Sequence, residues 1–175
     1  IPIKKTKIIF NKIYELGKKF NLTYAGMHAL DILRLEKKFL HWGHDITPEN
    51  NPFEAGLSFA VNFKKHNDFI GRRVLEKIKN DEPEKKLELF SLKDNFIPGK
   101  PLLLHDEPIF SNSKIIGSTT SSNYSFYYKK NICLAYVKGG LRSYDGLSIE
   151  VEGKKYSLKH EKSAIHDPMS IKLKN

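Results

Sequence analysis

The chain has one cysteine, one tryptophan and two methionines, and no apolar run near the length of a membrane span. A single cysteine excludes an internal disulfide. Its setting, Ile132–Cys133–Leu134–Ala135, reads as a buried strand in which the thiol packs rather than reacts. Crossing a bilayer as a helix takes about 20 consecutive apolar residues, so no membrane partner is expected. The sequence opens with no signal peptide, holds no G-x-G-x-x-G fingerprint after a strand, and shows neither internal repeats nor low-complexity segments. These absences point to a reducing, cytoplasmic setting. The first residue is Ile1 rather than methionine, which reads as a fragment or a processed product.

What is present fits a folded chain. The 175 residues are 39% apolar and 29% charged, enough for one large or two small domains with a real core. The net charge of +10 raises the question of nucleic acid. Residues 1–80 carry 15 basic against 8 acidic residues, and the remainder 15 against 12. The basic residues fall in scattered doublets (Lys4–Lys5, Lys64–Lys65, Lys129–Lys130 and others), whereas phosphate tracking calls for a stripe. The doublets read as a solvated surface whose field weakly attracts an anionic ligand tail.

Hydrophobic spacing divides the chain in two. Ile9, Ile13, Leu16 and Phe20 form one helical stripe over Thr6–Phe20, with Asn21 as the stop. A shorter helix runs from about Tyr24 to Asp31. Leu33 and Leu35 then alternate with Ile32, Arg34 and Glu36, which predicts a strand with Arg34 and Glu36 on one face. Thr47–Pro52 is a loop, Leu57–Phe63 alternates as a second strand, and Val74, Leu75 and Ile78 mark a third helix after Asp68. The polar run from Asn80 to Lys86 is the best boundary, giving domains of 1–82 and 83–175. Beyond it, strand-like runs recur at Leu87–Leu92, Leu102–His105, Ile115–Ser121, Ile132–Val137, Leu147–Val151 and Lys155–Leu158. Turn signals such as Pro98–Gly99, Gly139–Gly140, Asp145–Gly146 and Gly153 separate them. The fold class expected is α+β, ending in a small antiparallel β-barrel.

Glu36 is the residue that most needs a partner, because a carboxylate beside an apolar run costs several kcal/mol if buried unpaired. Either it pairs with Arg34 or a nearby lysine, or it meets a ligand. Trp42 either stacks on a planar ligand or packs beneath the Thr47–Pro52 loop, with packing favoured. Of the seven histidines, His28, His41, His44, His66, His105, His160 and His166, only His41 and His44 fall three apart beside an acid, Asp45. No zinc-like ligand set completes them, so no metal is expected. Tyr124–Lys130 interleaves aromatics with bases, as an oligonucleotide platform does, and reads in preference as a barrel strand with one buried face. Spacing reveals no Ser/His/Asp or Cys/His nucleophile, so no catalytic residue is assigned.

The motifs, taken in order, resemble the glycine-cleavage T-protein (aminomethyltransferase) superfamily. The matching pieces are Gly26–Leu30 with Leu33–Lys37 (LRLEK), Trp42–Gly43–His44–Asp45, Pro52–Leu57 (PFEAGL) and Phe69–Ile70–Gly71–Arg72. Ile116–Ser121, Ile132–Val137 and Asp167–Pro168 complete the set. Lysine after the LRLE glutamate, where the T-protein proper has Ala-Gly, looks more like the dimethylglycine and sarcosine dehydrogenase branch. The resemblance implies the second half of a folate-binding domain followed by the barrel, from an enzyme passing a methylene unit from an amine donor to tetrahydrofolate. Glu36 would meet the pteridine ring, Arg34 would hold structure or ligand, and Lys64 or Lys65 would grip the carboxylate end of the folate. FAD enters only if the parent protein carries an upstream domain. The partners implied are folate, a small amine and the missing N-terminal half of the same enzyme. The readings from other classes are a basic barrel module that binds nucleic acid and an architectural domain of an FAD-dependent amine oxidoreductase.

Overall fold

A computed structural model describes residues 1–65, 68–94 and 97–174, which separate into two compact units, Ile1–Leu30 and Asp31–Asn175. In the first unit, helix α1 spans Thr6–Gly17 and continues as a 3-10 turn over Lys18–Phe20. Asn21 stops it in the left-handed conformation (φ 57°), which asparagine tolerates better than most residues. The helical stripe is real, but α1 buries no residue: Ile13, Leu16 and Phe20 all stay exposed. Within the unit, Tyr14 and Phe10 both stack on Tyr24 (centroids 4.7 and 5.7 Å).

Helix α2, Met27–Glu36, begins in this unit and ends in the second. The strand expected over Ile32–Glu36 is therefore wrong. Two alternating apolar positions, Leu33 and Leu35, fit a helix equally well, and burial tells the two apart. Leu35 is wholly buried while Leu33 is 58% exposed. On a strand they would share a face; on a helix, at about 100° per residue, they stand some 200° apart. The same rotation separates Arg34 from Glu36.

The second unit is built around a closed antiparallel barrel. Its strands are β1 (Lys85–Leu92), β2 (Pro108–Ser111), β3 (Lys114–Ser125), β4 (Lys130–Lys138), β5 (Leu147–Val151) and β6 (Lys154–Glu161), ordered β1-β4-β3-β2-β5-β6. Strand β4 explains how the core is divided. Cys133, Ala135 and Val137 point inward with Phe90, Leu92, Ile149 and Leu158. Ile132 and Leu134 point outward, where with Leu87 and Leu89 they receive Leu35 of α2. Both faces of β4 are thus buried, so its apolar residues run on almost without interruption. Gly117 has a steric reason: a Cβ there would lie 1.9 Å from the Tyr136 carbonyl oxygen across the β3–β4 ladder.

Two other local expectations fail, and one strand went unread. Leu57–Phe63 forms only a 3-10 turn at Ser58–Ala60, with Phe59 exposed, and a closed barrel offers no edge for it to join. Leu102–His105 buries only Leu103 and makes no ladder; the Leu104 carbonyl is satisfied by the hydroxyls of Thr119 (2.8 Å) and Ser122 (3.1 Å) instead. Strand β2, opened by Pro108, carries too short an apolar signal to be read. Helix α3 covers Arg72–Ile78, inside the segment expected to be helical.

Candidate functional site

The C-terminal turn of α2 is where chemistry-bearing side chains gather. Helix ends leave carbonyls unpaired, and here the chain closes them locally. Phe39 N donates to Arg34 O (2.8 Å), Lys38 N to Leu35 O (2.9 Å) and His166 N to Glu36 O (3.0 Å). Lys38 makes this turn in the left-handed conformation (φ 54°), where glycine is favoured. The four charged residues here, Arg34, Glu36, Lys37 and Lys38, then reach different parts of the unit.

Arg34 faces a bulge in β3. One extra residue between Thr119 and Ser121 puts consecutive side chains, Thr120 and Ser121, toward the same neighbours. The guanidinium donates through Nη1 to Asp45 Oδ2, through Nη2 to Ser121 Oγ (2.7 Å) and through Nε to Asp31 Oδ1 (3.3 Å). Asp45, with no exposed surface, also accepts from Thr120 Oγ1 (2.6 Å) and the His41 backbone N–H (2.8 Å). Arg34 is thus committed at every nitrogen to protein partners, and the expected Arg34–Glu36 pair does not form. This buried pair pins the segment after α2 to the barrel.

Glu36 is 5% exposed and faces the β3–β4 turn. Its Oε1 accepts from Ser125 Oγ (2.7 Å) and, at the long limit, from Tyr127 N (3.5 Å). No described residue donates to Oε2. Lys37 points elsewhere, donating to the Asp167 carbonyl (2.7 Å), its carboxylate (3.1 Å) and Ser170 Oγ (3.3 Å). Burial pushes the Asp167 carboxyl upward, but the Lys37 ammonium and the backbone N–H groups of Ile171 and Lys172 outweigh it and hold the group below its ordinary value. Lys38 Nζ sits 3.5 Å from Glu88.

The remaining candidates do not join this cluster. Trp42 is 65% exposed, so it does not pack beneath the Thr47–Pro52 loop; asparagine side chains brace the segment instead, Asn50 accepting from Thr47 N and Asn51 from Phe53 N and Glu54 N. Lys64 and Lys65 are exposed in a turn whose backbone is held by Asn62 Oδ1 and by Arg72 Nη1. His66, one of the histidines weighed for a metal, lies outside the described residues. The rings of His41, His44 and His105 neighbour one another (centroids 4.6 and 6.2 Å), yet no group among the described residues has the make-up of a metal site. Tyr124–Lys130 spans the β3–β4 hairpin end, with Tyr124, Ser125 and Lys130 on the strands and residues 126–129 in the turn, where Phe126 and Tyr127 are exposed and Tyr128 is packed. Burial lifts the Cys133 thiol to about 12, in keeping with a packing role.

Sequence reasoning passed over Asp45 except as a neighbour of histidines, and treated Ser125 only as part of an aromatic run. The available signal for Ser125 was a lone small polar residue set among tyrosines and a phenylalanine at a strand end.

Two family models match the chain: GCVT N-terminal domain over residues 1–65 and Glycine cleavage T-protein C-terminal barrel domain over residues 85–167. Among curated relatives, human dimethylglycine dehydrogenase, mitochondrial, is 35% identical over 85% of this chain and 17% of its own length. An aminomethyltransferase from Symbiobacterium thermophilum is 37% identical over 74% of this chain and 33% of its own. Mouse pyruvate dehydrogenase phosphatase regulatory subunit, mitochondrial, is 37% identical over 78% and 16%. The chain therefore spans a third or less of these three. The solved aminomethyltransferase T of the glycine cleavage system from Bartonella henselae matches with a TM-score of 0.80 at 22% identity, covering 96% of this chain and 45% of that one; at this identity it speaks for the fold.

Proposed function

The chain belongs to the glycine-cleavage T-protein superfamily, and on that premise we propose that it is the tetrahydrofolate-binding C-terminal region of an aminomethyltransferase-like enzyme. The parent protein would pass a one-carbon unit from a small amine donor to tetrahydrofolate, as an aminomethyltransferase or as a dehydrogenase of the dimethylglycine and sarcosine type. The observation that carries this reading is the state of Glu36. A nearly buried carboxylate has one oxygen held by Ser125 and the other taken by no described residue. The pterin edge offers two parallel N–H donors, and an ionised carboxylate is a two-oxygen acceptor. Oε2 has its full acceptor capacity, while Oε1 has given its short bond to Ser125 and keeps its longer contact for Tyr127. The residues therefore fit the group, with Oε2 as the stronger of the two contacts.

When bound, tetrahydrofolate supplies the nitrogen that accepts the one-carbon unit. This chain's contribution is to orient the pterin through Glu36 and to limit water, rather than to supply covalent chemistry. Arg34 serves by locking the α2 end to β3, a positioning role rather than contact. Lys64 or Lys65 would meet the carboxylate end of the folate as a point charge, which favours a loose grip. Trp42 is exposed and available for ring contact. The stripe of Ile13, Leu16 and Phe20, uncovered in its own unit, suits the missing N-terminal half of the enzyme as partner. The chain alone is then expected to bind folate weakly and to turn nothing over. A reducing compartment such as the cytoplasm suits the free, buried Cys133. No helix among the described residues is long and apolar enough to cross a membrane.

Calorimetric titration with tetrahydrofolate tests the reading. Glu36→Gln should weaken binding about 5- to 150-fold, the worth of one or two charge-assisted bonds; unchanged affinity removes Glu36 from the site. A parallel titration with single-stranded oligonucleotide at two salt concentrations addresses the exposed Phe126–Tyr127 tip. A steep salt slope there would favour the nucleic-acid module instead. Silence toward both ligands would favour an architectural role beside an FAD-dependent oxidoreductase.

A further inference from the structure

Resting on the reading of Glu36 as the pterin acceptor, we infer that Ser125 is the residue that positions it. Ser125 is fully buried at the last position of β3, where the strand turns toward β4. Its hydroxyl oxygen accepts from Tyr128 N (2.9 Å), and the same oxygen lies 2.7 Å from Glu36 Oε1. A serine hydroxyl has one proton and two lone pairs. With the Tyr128 N–H occupying a lone pair, the hydroxyl proton is free to point at Glu36. The chain of donors runs one way, from backbone N–H to hydroxyl to carboxylate. Oε1 is thus an acceptor only, and any proton the carboxyl carried would have to sit on Oε2, the oxygen the pterin needs bare.

The geometry fixes the carboxylate plane as well as its polarity. Glu36 is the last residue of α2, and its backbone carbonyl is already held by His166 N (3.0 Å). Holding Oε1 from the opposite element leaves the side chain little rotational freedom. The other groups that meet Glu36 are backbone ones, the Tyr127 N–H at Oε1 and the His166 N–H at its carbonyl, and the His166 ring meets Tyr127 edge-on (4.7 Å). No described residue from these elements offers Oε2 a cation. Ser125 therefore does for Glu36 what Ser121 does for Arg34: it holds a charged group from β3, here at one oxygen only. The acceptor that binds ligand and the hydroxyl that aims it come from segments 89 residues apart.

A double-mutant cycle with tetrahydrofolate separates aiming from general support. Ser125→Ala should weaken binding about tenfold when Glu36 is present, and less than twofold in the Glu36→Gln background. Equal losses in both backgrounds overturn the inference, because a purely structural role would act regardless of Glu36. Ser125→Cys, near in size and a weaker donor, should fall between serine and alanine, and it keeps the test open if alanine disturbs folding. A second readout needs no ligand. The carboxyl carbon resonance of Glu36, assigned by its loss in Glu36→Gln, should move in Ser125→Ala and move less in Ser125→Cys. A resonance that stays in place in both variants overturns the inference. Should it move while Glu36→Gln leaves folate affinity unchanged, the pterin reading fails and the aiming of Glu36 stands.

Discussion

The barrel and the first 30 residues carry similar apolar sequences and treat them in opposite ways. In β4, alternate residues fill the barrel interior and the outer seam under Leu35, so the strand is buried on both faces. In α1 an equally regular stripe remains exposed, and no residue of the helix is buried. The difference is one of closure. A sheet that closes on itself satisfies its backbone and its apolar face together, whereas a single amphipathic helix needs a second surface. The barrel thus holds a core within its own unit, and the α1 stripe has no such cover within its own.

The sharpest way to break that comparison is to remove Arg34. Asp45 would be left as a fully buried charge without its cation, and Arg34→Ala should cost about 3–5 kcal/mol in denaturant unfolding. A loss below about 1 kcal/mol would mean the barrel does not depend on this tie. Next come paired truncations. Leu134→Ala, on the buried seam, should cost about 2–5 kcal/mol. Ile13→Ala, at a site 58% exposed, should change stability by no more than about 0.5 kcal/mol. Similar losses at both sites would show that α1 is covered after all.

Two smaller effects refine the picture at the end of α2. The Asp167 carboxyl is held below its ordinary value of 3.8 in the folded chain. Its ionised form therefore adds stability above that value, and the contribution fades as pH falls through the lower folded value. Asp167→Asn should accordingly be less stable than the parent chain at pH 5–8, with the gap narrowing below about pH 4; a gap that widens in acid would contradict the Lys37–Asp167 tie. Lys38→Gly should be the mildest change. It relieves a left-handed lysine at φ 54° and gives up a 3.5 Å ion pair, so thermal unfolding should show a gain of no more than about 1 kcal/mol.

Much of the barrel was legible because its signals are local. Leu147–Val151 alternates cleanly and is bounded by Asp145–Gly146 and Gly153, and β5 occupies those five residues. Asn21 announced the end of α1 because asparagine accepts the left-handed backbone. The α2 end was misread because Leu33, Arg34, Leu35 and Glu36 are too few residues to separate a period of 2 from one of 3.6. Only the burial of Leu35 against β1 and β4 decides between them. The partners of the charged residues were illegible for a different reason: Arg34–Ser121 and Glu36–Ser125 are 87 and 89 residues apart, and folding alone brings them together. Glu36 was singled out by the cost of burying its charge and given a pterin role by resemblance to a family, while Ser125 emerged only from the hydroxyl that faces it.

The central claim is that the Glu36 carboxylate accepts from the pterin edge, and the most direct measurement watches that edge. Proton NMR of tetrahydrofolate labelled with nitrogen-15 at N3 and the 2-amino group, bound to the chain, should show N3–H shifted downfield and slowed in solvent exchange. Glu36→Gln should return both properties toward those of the free ligand. Bound tetrahydrofolate whose N3–H exchanges as fast as in free solution, in the parent chain and the variant alike, would contradict the account.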